Sequence, residues 1–145
     1  MELDGIVEKA SKRNEWMIEV AALELMTQGR TRKNALAMIQ DAIMELVESY
    51  YGLEARKKLK LFLFDDGDEG FGIGSNNDKL LLSLALRRQR EVSGLTVREV
   101  SSNLGSKSPN AYFQYEKGKI NISLDKYEEL LRAANPQTSC SLRLG

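Results

Sequence analysis

Two side-chain amides lie four residues apart near the middle of the chain's second half: Asn110 and Gln114. An amide carries both an acceptor and donors, so it can pair with the N6 and N7 edge of adenine in the DNA major groove. Phe113 lies between them and offers an apolar surface that could touch a thymine methyl group. Lys117 and Lys119 follow, and both could bind phosphate oxygens. These residue types predict recognition of double-stranded DNA.

The composition argues against most kinds of catalysis. The chain has 0 His, which removes the commonest general base and the commonest zinc ligand. Cys140 is the single cysteine, so it forms no internal disulfide, and no imidazole is present to activate its thiol. We therefore expect no enzyme, and neither a metal nor another cofactor.

A metal-dependent nuclease is the enzymatic alternative. It would need several carboxylates that converge on magnesium. The acids on the predicted N-terminal strands are Asp4, Glu8, Glu19 and Glu24. Simple strand alternation directs such acids to the solvent face, and no spacing forces them together.

Charge is divided unevenly along a chain that is neutral overall. Residues 1–74 hold 10 basic against 14 acidic side chains, a net charge of −4, and residues 75–145 hold 11 against 7, a net charge of +4. Any basic surface for DNA therefore belongs to the second half. No apolar run approaches the roughly 20 residues that cross a bilayer, and the N-terminus lacks the apolar stretch of a signal peptide. We expect a cytoplasmic protein.

Periodicity predicts a small sheet with one helix in the first half. "DGIVEKA" is typical of a strand, and "EWMIEVAALELM" alternates until a bulge or a break near Leu23. A helix is predicted from an N-cap at Thr31 to Gly52. "KKLKLFLF" is predicted as a central strand because it is apolar on both faces. After the turn "DDGDEG", "FGIGS" is a brief pairing strand or a linker, and we favour the linker.

The second half is predicted to be all-helical. It contains four segments that each open with Ser, Thr, Asn or Asp, the residue types that cap helix N-termini. The fold class is therefore α+β. We expect one domain at residues 1–74, a boundary between Gly74 and Asp78, a helical domain at 78–136 and a flexible tail at 137–145.

Two of these helices have the form of a helix-turn-helix. Gly105 follows Leu104, the last apolar residue of the first helix, and allows a tight turn. Ser108 is a candidate N-cap, and Pro109 suits the first helical position. In this motif the second helix enters the major groove and its N-terminal residues contact the bases.

Residues 86–134 resemble the Xre/Cro-type helix-turn-helix of phage repressors, including the Glu-x-Gly-Lys run that begins at Glu116. The resemblance implies that Arg90 pairs with Glu116 and that Lys117 and Lys119 lie near phosphates. It implies groove-facing positions at Ser108, Pro109, Asn110, Phe113 and Gln114. It also implies a core formed by Leu86, Leu95, Val100, Leu104, Tyr112, Tyr115, Tyr127 and Leu131. Phe113 has a second interpretation as a dimer contact.

The first half resembles the HicB family of antitoxins. The family's pattern is a pair of strands, a Thr-x-Gly turn and a helix, here carried by Thr27, Gly29, Thr31, Ala35, Ile39, Ala42 and Ile43. The resemblance implies a degraded ribonuclease-H-like sheet, and some members carry a C-terminal helix-turn-helix in the same order. It further implies a partner, a HicA-type RNA-cleaving toxin. The apolar face of the sheet in residues 1–74 would then supply the toxin-binding surface, the dimer interface, or both. An acidic N-terminal half suits a basic partner of this kind.

The sequence thus predicts a DNA-binding antitoxin and transcriptional repressor that autoregulates its operon. A homodimer or higher homo-oligomer would present two reading helices to a palindromic operator. One alternative is a phage-repressor-like regulator without a toxin partner. Another is a protein-interaction module whose helix-turn-helix no longer binds DNA. The neutral net charge favours this alternative, as does Val97, because the phage-repressor family usually has glutamine at that position.

Overall fold

The computed structural model describes residues 1–11 and 14–137, which form two compact units divided between Asn76 and Asn77. The first unit contains β1 (Leu3–Lys9), β2 (Trp16–Val20), β3 (Leu25–Gly29), α1 (Arg32–Tyr51), α2 (Leu53–Lys58), β4 (Leu61–Asp65) and β5 (Gly70–Ser75). The second contains α3 (Asp78–Val92), α4 (Val97–Asn103), α5 (Pro109–Glu116) and α6 (Leu124–Ala134). An antiparallel sheet followed by an all-helical region confirms the α+β class. Cys140 and residues 138–145 of the predicted tail lie outside the described residues.

The sheet of the first unit has the strand order β3-β2-β1-β5-β4, and all neighbouring strands are antiparallel. One face is apolar because alternate residues such as Val7 and its partner Ile18 point to the same side. Helix α1 packs on that face through its buried stripe. The stripe consists of Ala35, Leu36, Ile39, Ile43 and Val47. The core of this unit therefore lies between the sheet and α1.

Helix α1 begins and ends as its sequence predicts. The Thr31 hydroxyl accepts a hydrogen bond from the Asn34 N–H at 3.0 Å, and Gly52 ends the helix with a φ of 96°, which favours glycine. Its first residue, Arg32, forms a bidentate ion pair with Asp65, with both N–O distances at 2.6 Å. The pair joins the start of α1 to the end of β4.

The segment after Val20 breaks into two strands, one of the two outcomes that the slipped alternation predicted. A single 3₁₀ turn spans Ala21–Leu23, and Glu24 follows in the left-handed region with a φ of 49°. Thr27 and Gly29 then belong to β3, so the turn of the proposed Thr-x-Gly pattern comes after Gly29.

Two predictions about the β4–β5 hairpin were wrong. The "LFLF" segment is the edge strand β4 and not a central strand, and its Phe62 and Phe64 point outward with 46% and 48% of their surface exposed. "FGIGS" lies in β5, between β1 and β4, and is not a linker. Its inward residues Phe71 and Ile73 are buried, whereas glycine occupies the outward positions. With glycine on one face, the strand lacks the alternation of side chains that would identify it.

The second unit has its own core between its four helices. The buried cluster comprises Leu86, Val100, Tyr112, Tyr127, Leu130, Leu131, Ala133 and Ala134. Leu95, Leu104 and Tyr115 pack against it, so all eight core positions implied by the phage-repressor resemblance belong to this core. Among the described residues, no helix is both long and apolar enough to span a membrane.

Candidate nucleic-acid interface

Helices α4 and α5 are separated by a short turn whose geometry depends on glycine and serine. The Thr96 hydroxyl accepts from the Glu99 N–H, and the Glu99 carboxylate accepts from the Thr96 N–H, which forms a capping box at the start of α4. Gly105 adopts a φ of 73° just after α4, a conformation that side chains other than glycine disfavour. The predicted tight turn between two helices is therefore present.

Ser108 occupies the N-cap position of α5 but does not cap it. Its side chain makes no capping hydrogen bond. The Ser106 hydroxyl instead donates to the Ser108 carbonyl at 3.1 Å and accepts from the Ser108 N–H at 3.3 Å. These two bonds hold the backbone of the turn between α4 and α5 through Ser106. The Ser108 side chain makes no capping bond, so its predicted capping role was wrong. The Ser108 residue is exposed at the entry to α5.

The two faces of α5 differ sharply in burial. Tyr112 and Glu116 are buried one helical turn apart, and Tyr115 is half-buried beside them. The opposite arc is exposed, because residues spaced by three or four positions share a helix face. It carries Asn110, Ala111, Phe113, Gln114 and Lys117. We call these five residues the α5 outer face.

Glu116, the only acidic residue of α5, is withdrawn from the α5 outer face by an ion pair. The Arg90 guanidinium donates to its two carboxylate oxygens at 2.7 and 3.0 Å, and also to the Leu95 carbonyl at 3.0 Å. The Glu116 side chain is 1% exposed, and the hydrogen bond to Glu116 raises the pKa of Arg90. This confirms the predicted pairing, which ties α5 to α3. The α5 outer face is consequently free of negative charge.

Phe113 and Lys117 form a cation–π contact along the α5 outer face. The Lys117 ammonium lies 5.1 Å from the centroid of the Phe113 ring, within the distance at which a cation is attracted to an aromatic face. The ring is still 38% exposed. An apolar surface and a positive charge are therefore held together one helical turn apart.

The structure places the predicted DNA-contacting residues in one stretch around α5. Ser108, Asn110, Phe113, Gln114, Lys117 and Lys119 are exposed, and Pro109 is half-buried at the first helical position. Two exposed neighbours were not predicted, Lys107 in the turn and Ala111 in α5. Helical spacing could have identified Ala111, because it is three residues before Gln114. Lys107 lies outside the helix, so no periodic signal marks it.

Two other residues near the helix-turn-helix have structural partners. Arg87 forms an ion pair with Glu91 at 3.0 Å within α3. Val97, at the position where the phage-repressor pattern usually has glutamine, packs against the core of the second unit. The start of α4 is thus held by a core contact and by its capping box.

A second surface lies on the first unit, on the side of the sheet opposite α1. Its apolar members Ile6, Met26, Phe62 and Phe64 are exposed. The strand register places the acids Asp4, Glu8 and Glu19 on the same side, as alternation predicted. We call these seven residues the outer sheet face. None of the outward positions of the five strands is Lys or Arg, so this surface combines apolar and negative character.

Comparison with known families supports the interpretation of the second unit. The helix-turn-helix family matches residues 86–135, which include α4, the turn and α5. These residues form a helix-turn-helix domain of the Xre/Cro type, a domain of sequence-specific DNA-binding transcription regulators. Neither the curated proteins nor the solved structures include a match to the chain.

Proposed function

We propose that this chain regulates transcription by docking α5 in the DNA major groove. The observation that carries the proposal is the α5 outer face, which belongs to the second helix of the helix-turn-helix and presents amides, an aromatic ring and a lysine without any acid. A negative side chain there would be repelled by phosphates, and the single acid of α5 is buried against Arg90. Ser108 and Pro109 precede this face and would also lie toward the groove, whereas Lys117 and Lys119 would lie near phosphates.

A homodimer fits this mode of binding. One helix-turn-helix reads only a few base pairs, and a two-fold dimer presents two reading helices about one helical turn of DNA apart. We therefore propose a palindromic operator upstream of the chain's own gene, as autoregulation requires. Sedimentation of the free chain and of its DNA complex measures the number of copies in each.

The experiment that tests DNA reading is fluorescence anisotropy with labelled DNA from upstream of the gene. A scrambled duplex of the same composition serves as the control, and both titrations are repeated at several salt concentrations. We expect tight binding to the upstream DNA, weaker binding to the scrambled duplex, and an affinity that falls steeply with salt. Equal binding to both duplexes would exclude sequence-specific regulation. No binding at low salt would exclude any DNA-binding role.

A second function, antitoxin activity toward a HicA-type toxin, is supported by the outer sheet face. This surface exposes four large apolar side chains next to three carboxylates and no basic group. Two copies packed through it would bring like charges together, whereas a basic partner would neutralise them. We propose that the outer sheet face binds the toxin and leaves α5 to bind DNA.

Antitoxin activity is tested by co-expression with a HicA-type protein encoded beside this gene. We expect the chain to restore growth and to co-purify with the toxin. A variant with Glu8→Lys and Glu19→Lys should lose both effects. Glu54→Lys, on exposed helix α2, is the matched control and should keep them. If the charge-reversed variant still protects the cell, the outer sheet face is not the binding surface. If the natural chain gives no protection, only the regulatory function stands.

A further inference from the structure

The chemistry of the α5 outer face indicates which bases the helix can read. Guanine is read by Arg or Lys through its O6 and N7 acceptors, and cytosine is read by Asp or Glu through its N4 amine. The first two turns of α5 expose neither a basic nor an acidic side chain. Adenine is read by Asn or Gln, and the thymine methyl is contacted by apolar groups. Asn110, Gln114 and Phe113 are residues of these two kinds.

We propose that α5 reads an A·T-rich half-site, in which Asn110 and Gln114 bond adenines and Phe113 covers a thymine methyl. This inference rests on the proposed function, because it presumes that α5 lies in the major groove. Four residues of helix span about 6 Å, and base pairs are stacked about 3.4 Å apart. The three side chains therefore reach adjacent base pairs, and the half-site core is two to three base pairs long.

Lys117 is the one basic residue on this face, and its position assigns it a different role. It lies at the C-terminal end of α5, and its ammonium is held 5.1 Å from the Phe113 ring centroid. Recognition helices contact bases mainly through their N-terminal residues. Lys117 thus lies against the ring and supplies positive charge to the phosphates, and the α5 outer face holds no other basic side chain that could read guanine.

The specificity is tested first by selection with the full chain from a pool of duplexes that have a randomised centre. We expect enrichment of inverted repeats whose half-sites are A·T pairs. Enrichment of half-sites with central G·C pairs would overturn this inference and leave the regulatory function intact. A pool that shows no enrichment would overturn both, because the chain would then read no sequence at all.

Individual contacts are tested by changing single atoms of the selected site. Replacing a contacted adenine by 7-deazaadenine removes N7, and we expect the affinity of the natural chain to fall about 5- to 150-fold. Replacing the contacted thymine by uracil removes one methyl group, and we expect about a fourfold loss. The affinity of Gln114→Ala should not change when the adenine that Gln114 contacts is replaced by 7-deazaadenine. The affinity of Phe113→Ala should not change when the contacted thymine is replaced by uracil.

Arg132→Ala is the matched control for these variants. Arg132 is exposed on α6, outside the α5 outer face. The Arg132→Ala variant should therefore lose as much affinity as the natural chain when 7-deazaadenine or uracil is introduced. All three substituted residues are exposed and lie outside the buried core, and a circular dichroism spectrum confirms that each variant is folded. A natural chain that binds all the modified duplexes as tightly as the unmodified one would overturn the assigned contacts.

Discussion

At the scale of single residues, the second unit is organised by one buried charge pair. Glu116 is almost fully buried and Arg90 is 13% exposed, and each supplies the opposite charge that the other needs. Burial of a charge is costly unless the charge is paired. The pair therefore fixes the rotation of α5 relative to α3, and with it the direction of the α5 outer face.

Removing the carboxylate of this pair should destabilise the second unit. We expect Glu116→Ala to lower the free energy of unfolding by about 3 kcal/mol, because the Arg90 guanidinium loses its ionic partner in a buried place. Glu128→Ala makes the same chemical change in α6, in an exposed pair with Arg132, and should cost less than about 1 kcal/mol. Urea unfolding followed by circular dichroism compares the two. Equal costs would show that the buried pair has no special role.

A second ion pair, between Arg32 and Asp65, makes the stability of the first unit depend on acidic pH. The hydrogen bonds from Arg32 and from the Gly67 N–H lower the pKa of Asp65 from 3.8 to about 2. An acid whose pKa is depressed by folding stabilises the folded state above its unfolded pKa, and that contribution disappears as the pH falls through the folded pKa.

We therefore expect the first unit to lose stability between about pH 4 and pH 2, and the Asp65→Asn variant to lose less over this interval. Trp16, the single tryptophan, lies in β2 and reports unfolding of this unit by fluorescence. Asp41→Asn, which removes an exposed carboxylate of α1, is the control and should retain the acid response. The same dependence of stability on pH in the Asp65 variant and in the natural chain would show that Asp65 does not cause the loss of stability in acid.

At the scale of elements, the close contact between α1 and β3 requires a residue without a side chain at position 29, which is glycine. A Cβ atom at Gly29 would lie 2.4 Å from the Ala35 backbone nitrogen and 2.7 Å from its Cα. Backbone atoms cannot yield as a flexible side chain does, so α1 would have to move away from the sheet. Close approach of the helix is the reason for glycine at this place in the strand.

Gly29→Ala should accordingly destabilise the first unit by about 1 to 3 kcal/mol, the usual cost of overpacking. Gly70→Ala is the matched control, because Gly70 also lies in a strand and nothing is within 4 Å of an added Cβ. It should be neutral or slightly stabilising. Chemical unfolding monitored by Trp16 fluorescence measures both. A Gly29 variant as stable as the Gly70 variant would show that α1 can shift at little cost.

The elements differ in how well their sequences predict them. Helix α1 was predicted because its apolar stripe, the Thr31 cap and the Gly52 stop all indicate the same element. The hairpin of β4 and β5 was misplaced, since "LFLF" is apolar on both faces although its outward phenylalanines are exposed at a sheet edge. The short helix α2 was missed because its six residues are too few to show a periodic pattern.

The candidate interface was more predictable than the sheet. Its position follows from capping residues and glycine in the turn, which are local signals, and the Arg90–Glu116 pair followed from the phage-repressor resemblance. The cation–π contact of Lys117 and the Ser106 bonds that replace a Ser108 cap depend on side-chain rotamers. Sequence spacing does not determine rotamers, so these contacts required the structure.

At the scale of the whole molecule, the absence of net charge conceals two oppositely charged halves, of −4 and +4. Attraction to DNA therefore depends on local groups, among them Lys107, Lys117 and Lys119 around α5. Each phosphate that such a group neutralises releases counterions, which makes binding weaker as salt rises.

The salt dependence of the affinity should indicate how many phosphates these lysines neutralise. We expect Lys117→Ala to reduce the slope of log affinity against log salt by about 0.9, the value for one phosphate. Arg132→Ala removes the same charge from α6 and should leave the slope unchanged. Anisotropy titrations on one duplex at several salt concentrations give both slopes. Equal slopes for the two variants would indicate that only the total charge matters.

The position of β4 at the edge of the sheet also has a consequence for how the chain behaves at high concentration. Its backbone groups face away from β5 without a further strand among the described residues, and Phe62 and Phe64 project beside them. Natural proteins commonly protect such edges with charges, proline or bulges, and "LFLF" has none of these. This short segment is apolar, uncharged and rich in β-forming residues, a combination that promotes intermolecular strand stacking. We therefore expect this edge to favour self-association of the chain at high concentration.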